Sequence, residues 1–246
     1  MSRDIAHEGF ARRSFLSRLA AGAAAFGGAF AGSNAEAQST ASSPAAAAAP
    51  AAAAGWTPTR HAEDDWFEQT TAKHRFFMDT TSPGALGQAL FFARNVFGAN
   101  ASGYGLTDAD IAQIICVRHE STSFAFTDDM WAKYSAALSE RAGGFVDPKS
   151  KQVPTTNLYR ATGYGDSLRN NGATIDALVR RGVRFAVCGL ATRATASLIS
   201  QKTGAPTDAV YKELTEHLVP NAHMVAAGIV AVNRAQERGY TFSYVT

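Results

Sequence analysis

A cysteine that closes an apolar run and is followed at once by glycine has the setting of a nucleophile. Cys188 ends the run Val183 to Cys188, Gly189 comes next, and Arg193 lies on the helical stretch beyond. A helix N-terminus and a nearby cation both favour thiolate over thiol, and the thiolate is the reactive form. Cys116 is the internal control: it lies among Ile114, Ile115 and Val117, where a cysteine behaves as a small hydrophobe. His119 and Glu120 follow directly on the apolar run from Ile111 to Arg118. A histidine at a strand's end can shuttle a proton or bind a metal, and an acidic neighbour can set its tautomer. Strand alternation lets only one of that pair face a pocket. The competing readings are an inert buried cysteine and a hydrogen-bonded surface histidine, and residue types alone leave both open.

The elements that must position these groups follow from periodicity. Strands are expected at Arg75 to Asp79, Ile111 to Arg118, Val183 to Cys188, Ala222 to Ala226 and Tyr240 to Val245. The second and third are almost continuously apolar, as strands covered on both faces are. Between the strands, apolar residues recur at helical spacing. Leu86, Leu90, Ala93 and Phe97 form one set, and Met130, Tyr134 and Leu138 another behind a Thr127 cap. Ile175 to Val179, Val210 to Leu218 and Ile229 to Gln236 supply the rest. Arg180-Arg181-Gly182 and Glu237-Arg238-Gly239 each place a glycine where a helix hands over to a strand. The expected fold is a three-layer α/β/α domain on a mostly parallel five-stranded sheet. In such a sheet ligands bind beyond the carboxyl ends of the strands. That rule adds Asp79, Thr80, Ser82, Glu120, Thr192 and Gly228 to Cys188, His119 and Arg193 as pocket candidates.

Composition narrows the function classes. The 246 residues carry 23 Lys plus Arg against 21 Asp plus Glu, a formal charge of +2, so no nucleic-acid partner is expected. Two cysteines are too few for a disulfide scaffold or a four-thiolate zinc site. The histidines show no H-x-x-x-H or H-E-x-x-H spacing, and no metal is expected. Gly-rich phosphate fingerprints and the G-x-S-x-G elbow are missing as well, so no nucleotide cofactor and no common hydrolase chemistry is expected.

The first residues read as a targeting segment. Arg12-Arg13-Ser14-Phe15-Leu16, a mild apolar run from Leu19 to Gly32, and Ala35-Glu36-Ala37 occur in the order of a twin-arginine export signal with its cleavage site. The run is too short for a stable membrane span. Removal of residues 1–37 takes away four basic and three acidic groups and leaves a charge of +1. Residues 38–55, rich in Ala and Pro, read as a linker, and 56–246 as one domain. The expected partners are therefore the twin-arginine export machinery and a small molecule, and the expected location is periplasmic or otherwise extracytoplasmic. Inside the domain, residues 142–172 form an unusually long connection. Its Phe145, Leu158, Tyr159 and Tyr164, with Arg160 and Arg169, suggest either a lid over a pocket or a mobile insertion.

The run Gly182-Val183-Arg184-Phe185-Ala186-Val187-Cys188 resembles the DsrE/DsrF-like sulfur-relay family, whose reactive cysteine closes the corresponding strand. The tail agrees, with Leu218 to Asn221, Val225 to Ala231 and Arg238 to Phe242 giving the family's ending of strand, Gly-started helix and final strand. The resemblance covers roughly residues 72–246 and is most specific over the last 70 or so. It implies a compact α/β/α domain assembled from identical copies, in which a thiol accepts sulfane sulfur as a persulfide and passes it to a sulfur-carrying partner. On that pattern Cys188 is the carrier. The chain departs from the family in its export signal, where relay members are cytoplasmic, and in lacking a C-x-x-C pair. The function expected is an exported persulfide carrier or transferase, and the rival is a non-catalytic ligand-binding or assembly module on the same fold.

Overall fold

The computed structural model describes residues 57–246; the expected signal (1–37) and the expected linker (38–55) lie outside the described residues. Strands β1 (His74–Thr80), β2 (Ile111–Val117), β3 (Arg184–Cys188), β4 (Ala222–Val225) and β5 (Thr241–Val245) form one sheet in the order β4-β3-β2-β1-β5. Every pairing is parallel. Helices α1 (Pro83–Tyr104), α2 (Asp128–Arg141), α3 (Ile175–Val179), α4 (Gly189–Thr203), α5 (Thr207–Glu216) and α6 (Gly228–Glu237) make the connections. Helices on both faces of a parallel sheet give the three-layer α/β architecture that the alternating pattern predicts.

The two faces are covered unequally. One face carries Met78, Ile115, Val117, Phe185 and Val187 into a large core with residues of α1 to α5. The other presents Phe77, Ile114, Cys116 and Ala186 to α6 and to a short 3₁₀ segment, Ala62–Glu68, that contributes Trp66 and Phe67. Trp66 stacks on His223 with ring centroids 4.3 Å apart, and Tyr240 Oη donates to the Phe67 carbonyl at 2.7 Å. β2 is central and wholly buried, which is why its sequence is a continuous apolar run. Gly182 and Gly239 adopt φ of 89° and 79°, the left-handed values a helix-to-strand turn needs. Among the described residues, no helix is long and apolar enough to cross a membrane.

Two local expectations change. Thr127 occupies the N-cap position of α2, but its side chain caps nothing and its Oγ1 is buried without a partner. The 142–172 connection is neither lid nor loose insertion where it meets the body. Leu158 and Tyr159 are buried in the main core, and Phe145 packs edge-on against Phe124. Asn157 Nδ2 donates to the carbonyls of Phe124 and Phe126 at 2.8 and 2.9 Å. Those carbonyls lie in irregular backbone behind β2 and need donors, which the long connection supplies. Its Arg160 bridges Asp128 and Asp176, and Arg169 hydrogen-bonds Gln88. The aromatic content is therefore core material contributed from outside the regular elements, each large side chain bringing about 1.5–3 kcal/mol of burial.

Candidate active site at the carboxyl ends of the strands

The carboxyl ends of β1, β2 and β3 meet beneath the N-terminus of α6. Asp79 near the end of β1 and Arg118 just after β2 form a two-pronged ion pair, with Nε and Nη2 donating to the two carboxylate oxygens at 2.8 Å each. The Asp79 side chain is 2% exposed and that of Arg118 19%. Arg118 is held further cationic, above its ordinary range, first by this hydrogen bonding. Gly228 opens α6 directly on top of the pair. A Cβ there would stand 2.8 Å from Arg118 Cβ and 3.0 Å from Cys116 Sγ, so only glycine lets the helix approach. Cys116 is sealed below, and burial foremost, with the Asp79 charge second, pushes its thiol well above the ordinary range.

Cys188 is different. It is both the last residue of β3 and the N-cap of α4, and the N–H of Ala191 donates to its Sγ at 3.4 Å. Only 6% of it is exposed, but it borders a cleft of about 390 Å³. Arg118, His119, Arg141, Leu190, Ala194 and Gly228 stand among the other walls, and no carboxylate does. The sulfur thus has a backbone donor on one side and open, cation-lined space on the other.

The remaining expected site residues divide. His119 reaches the same cleft: it is exposed, takes a left-handed φ of 56°, and also lines a neighbouring cleft with Thr81, Ser82, Glu120 and Tyr244. β2 stops at Val117 and residues 119–125 form a 3₁₀ turn, so strand alternation does not choose between His119 and Glu120. Both are exposed; Glu120 lines the neighbouring cleft and not the one beside Cys188, and its carboxylate stands close to Gly143. Arg193 is not brought to the sulfur. It pairs with Asp208, stacks 4.1 Å over the Tyr211 ring and lines a separate cleft of about 660 Å³. Leu190 lines both clefts, whereas Arg193, one turn on, lines only the larger one and Ala191 and Ala194 only the one beside Cys188.

Several candidates are taken up in building the site. Thr80 Oγ1 donates to the Cys116 carbonyl at 2.7 Å, Ser82 caps α1 by accepting from Ala85 N at 3.2 Å, and Thr192 Oγ1 donates to the Cys188 carbonyl at 3.0 Å. Residue types did not single out Arg118 or Arg141 as site residues. Arg118 carries a usable signal, a charged residue immediately beyond a buried strand; Arg141 carries none, since an arginine ending a helix is ordinary. No family model matches the sequence, and no curated protein matches it.

Proposed function

We propose that this domain handles sulfane sulfur at Cys188, as an exported carrier or transferase of the DsrE-like kind. The observation that supports it most is the placement of the Cys188 sulfur, which caps α4 and borders a cleft with cationic and no carboxylate walls. In the reaction the Cys188 thiolate attacks the outer sulfur of a donor such as thiosulfate. The donor's S–S bond breaks, its electron pair leaves with sulfite, and a new S–S bond forms on Cys188, with no net change in electrons. His119, at the same cleft, is the group available to move a proton to or from the sulfur. Arg193, expected as the charge partner, gives way to Arg141 and Arg118 on the geometry. The twin-arginine signal would deliver the folded domain, and assembly from identical copies belongs to the same proposal.

Intact mass after thiosulfate treatment tests it. The native protein gains about 32 Da, one sulfur, and Cys188→Ser gains nothing. Equal labelling of the two proteins overturns the proposal. The second reading, a non-catalytic binding module, draws on the 94% burial of Cys188. It predicts no labelling of either protein and an unchanged ligand affinity in Cys188→Ala.

A further inference from the structure

The cleft beside Cys188 is lined by an arginine that no side chain pairs. Arg141 ends α2, and its Nε is sealed from solvent with no acceptor in reach. Its guanidinium makes no ion pair or hydrogen bond among the described residues. Arg141 as a whole is half-buried, and one sealed donor left without an acceptor costs on the order of 1–3 kcal/mol. The usual compensation for an arginine at this position, the helix's own last carbonyls, is already in use. Leu138, Ser139 and Glu140 carbonyls accept from the backbone N–H groups of Ala142, Gly143, Gly144 and Phe145. Arg118, on the same cleft, has Asp79; Arg141 has no ion-pair partner among the described residues.

The N-terminus of α6 also borders this cleft, through Ala227, Gly228 and Ile229. Its N-cap, Ala227, offers no side-chain acceptor, so the first-turn N–H groups have none from the helix or its cap. A helix N-terminus and an unpaired arginine on one cleft free of carboxylates make a site for negative charge. The remaining wall is apolar, and Leu190 and Ile229 are 69% and 61% exposed at its rim.

We propose that this cleft binds a small organic anion. Its oxyanion headgroup, a sulfonate, phosphate or carboxylate, sits on Arg141 and the α6 N-terminus, and a short apolar body lies against Leu190, Ala194 and Ile229. The site shares its cleft with the proposed sulfur chemistry but does not require a reactive thiol.

Titration calorimetry of the full chain with butane-1-sulfonate, and with sulfate as the bare headgroup, is the test. Saturable one-site binding is expected, with sulfate at least about tenfold weaker. Arg141→Ala lowers affinity for butane-1-sulfonate by about tenfold or more, and Arg141→Lys by less. Because Arg141→Ala can disturb α2, the exposed Ile229→Asp provides a second variant, placing a carboxylate at the rim and weakening binding by repulsion. Absence of saturable binding by the native protein, or unchanged affinity in both Arg141→Lys and Ile229→Asp, overturns the site. Loss of mass labelling with anion binding intact removes the sulfur reading alone, and the converse result removes this one alone.

Discussion

Cys116 and Cys188 stand on the same face of adjoining strands, under the same helix, and their surroundings differ completely. Cys116 pairs in register with Ala186, so Cys188 lies two residues further along its strand. That step, about 7 Å of strand, carries it from beneath Gly228 to the edge of a cleft. Combined with the spacing between strands, it sets the two Cα atoms about 8 Å apart, beyond the roughly 7 Å a disulfide spans. The difference is one of position: within one sheet, distance from the covering helix decides whether a thiol is sealed or borders a cleft. The sealed end is built from Asp79, Arg118, Cys116 and Gly228, and the open end from Cys188, His119 and Arg141.

The strongest way to break this contrast is to unbalance the sealed end. Asp79→Asn leaves Arg118 without its counter-charge in a mostly buried position and should cost about 3 kcal/mol, read from urea unfolding. A loss below about 1 kcal/mol would mean that the pair behaves like a surface bridge and that nothing is sealed there.

Gly228→Ala should cost somewhat less, about 1–3 kcal/mol, because the new methyl group meets Arg118 and Cys116. As the start of α6 lifts, Cys116 should become open to iodoacetamide in the folded protein, having been protected before. Continued protection in the variant would show that α6 is not what seals it.

The smallest effect lies on the edge strand β4, where burial against Trp66, with the Arg184 charge second, holds the His223 pKa below its ordinary value of 6.5. The folded state resists protonating this ring while the unfolded chain does not. Stability from this group is therefore fully present above about pH 7 and declines as pH falls through 6.5 and below. His223→Phe, which keeps a ring on Trp66, should flatten that decline between about pH 7 and 5 in urea midpoints. An unaltered profile would assign the decline to other groups.

Much of the frame was legible. The strands at 74–80, 111–117, 184–188, 222–225 and 241–245 fall close to where the pattern places them; for 111–117 and 184–188, burial on both faces writes itself into consecutive apolar residues. Gly182 and Gly239 marked their turns because only glycine takes that backbone conformation cheaply. The site was legible only in part. Cys188 and His119 do share a cleft, as residues closing neighbouring strands can. Arg193 does not, because which ridge of α4 faces the sulfur depends on how that helix docks. Asp79 and Arg118 lie 39 residues apart, and Arg141 reaches the cleft from the end of α2, contacts that no local pattern encodes. The long 142–172 connection misled for a related reason: aromatic residues outside a periodic element look the same whether they cover a pocket or fill a core.

By itself, then, the sequence determined what is local: the run of strands and helices, their parallel arrangement, the two turn glycines and the position of Cys188 at a strand's end. Tertiary structure alone decided the strand order, the sealing of Cys116 and the cations that reach Cys188. The physical reason is that strand formation depends on neighbours in the chain, whereas a cleft's charge and depth depend on the register and docking of segments far apart in it.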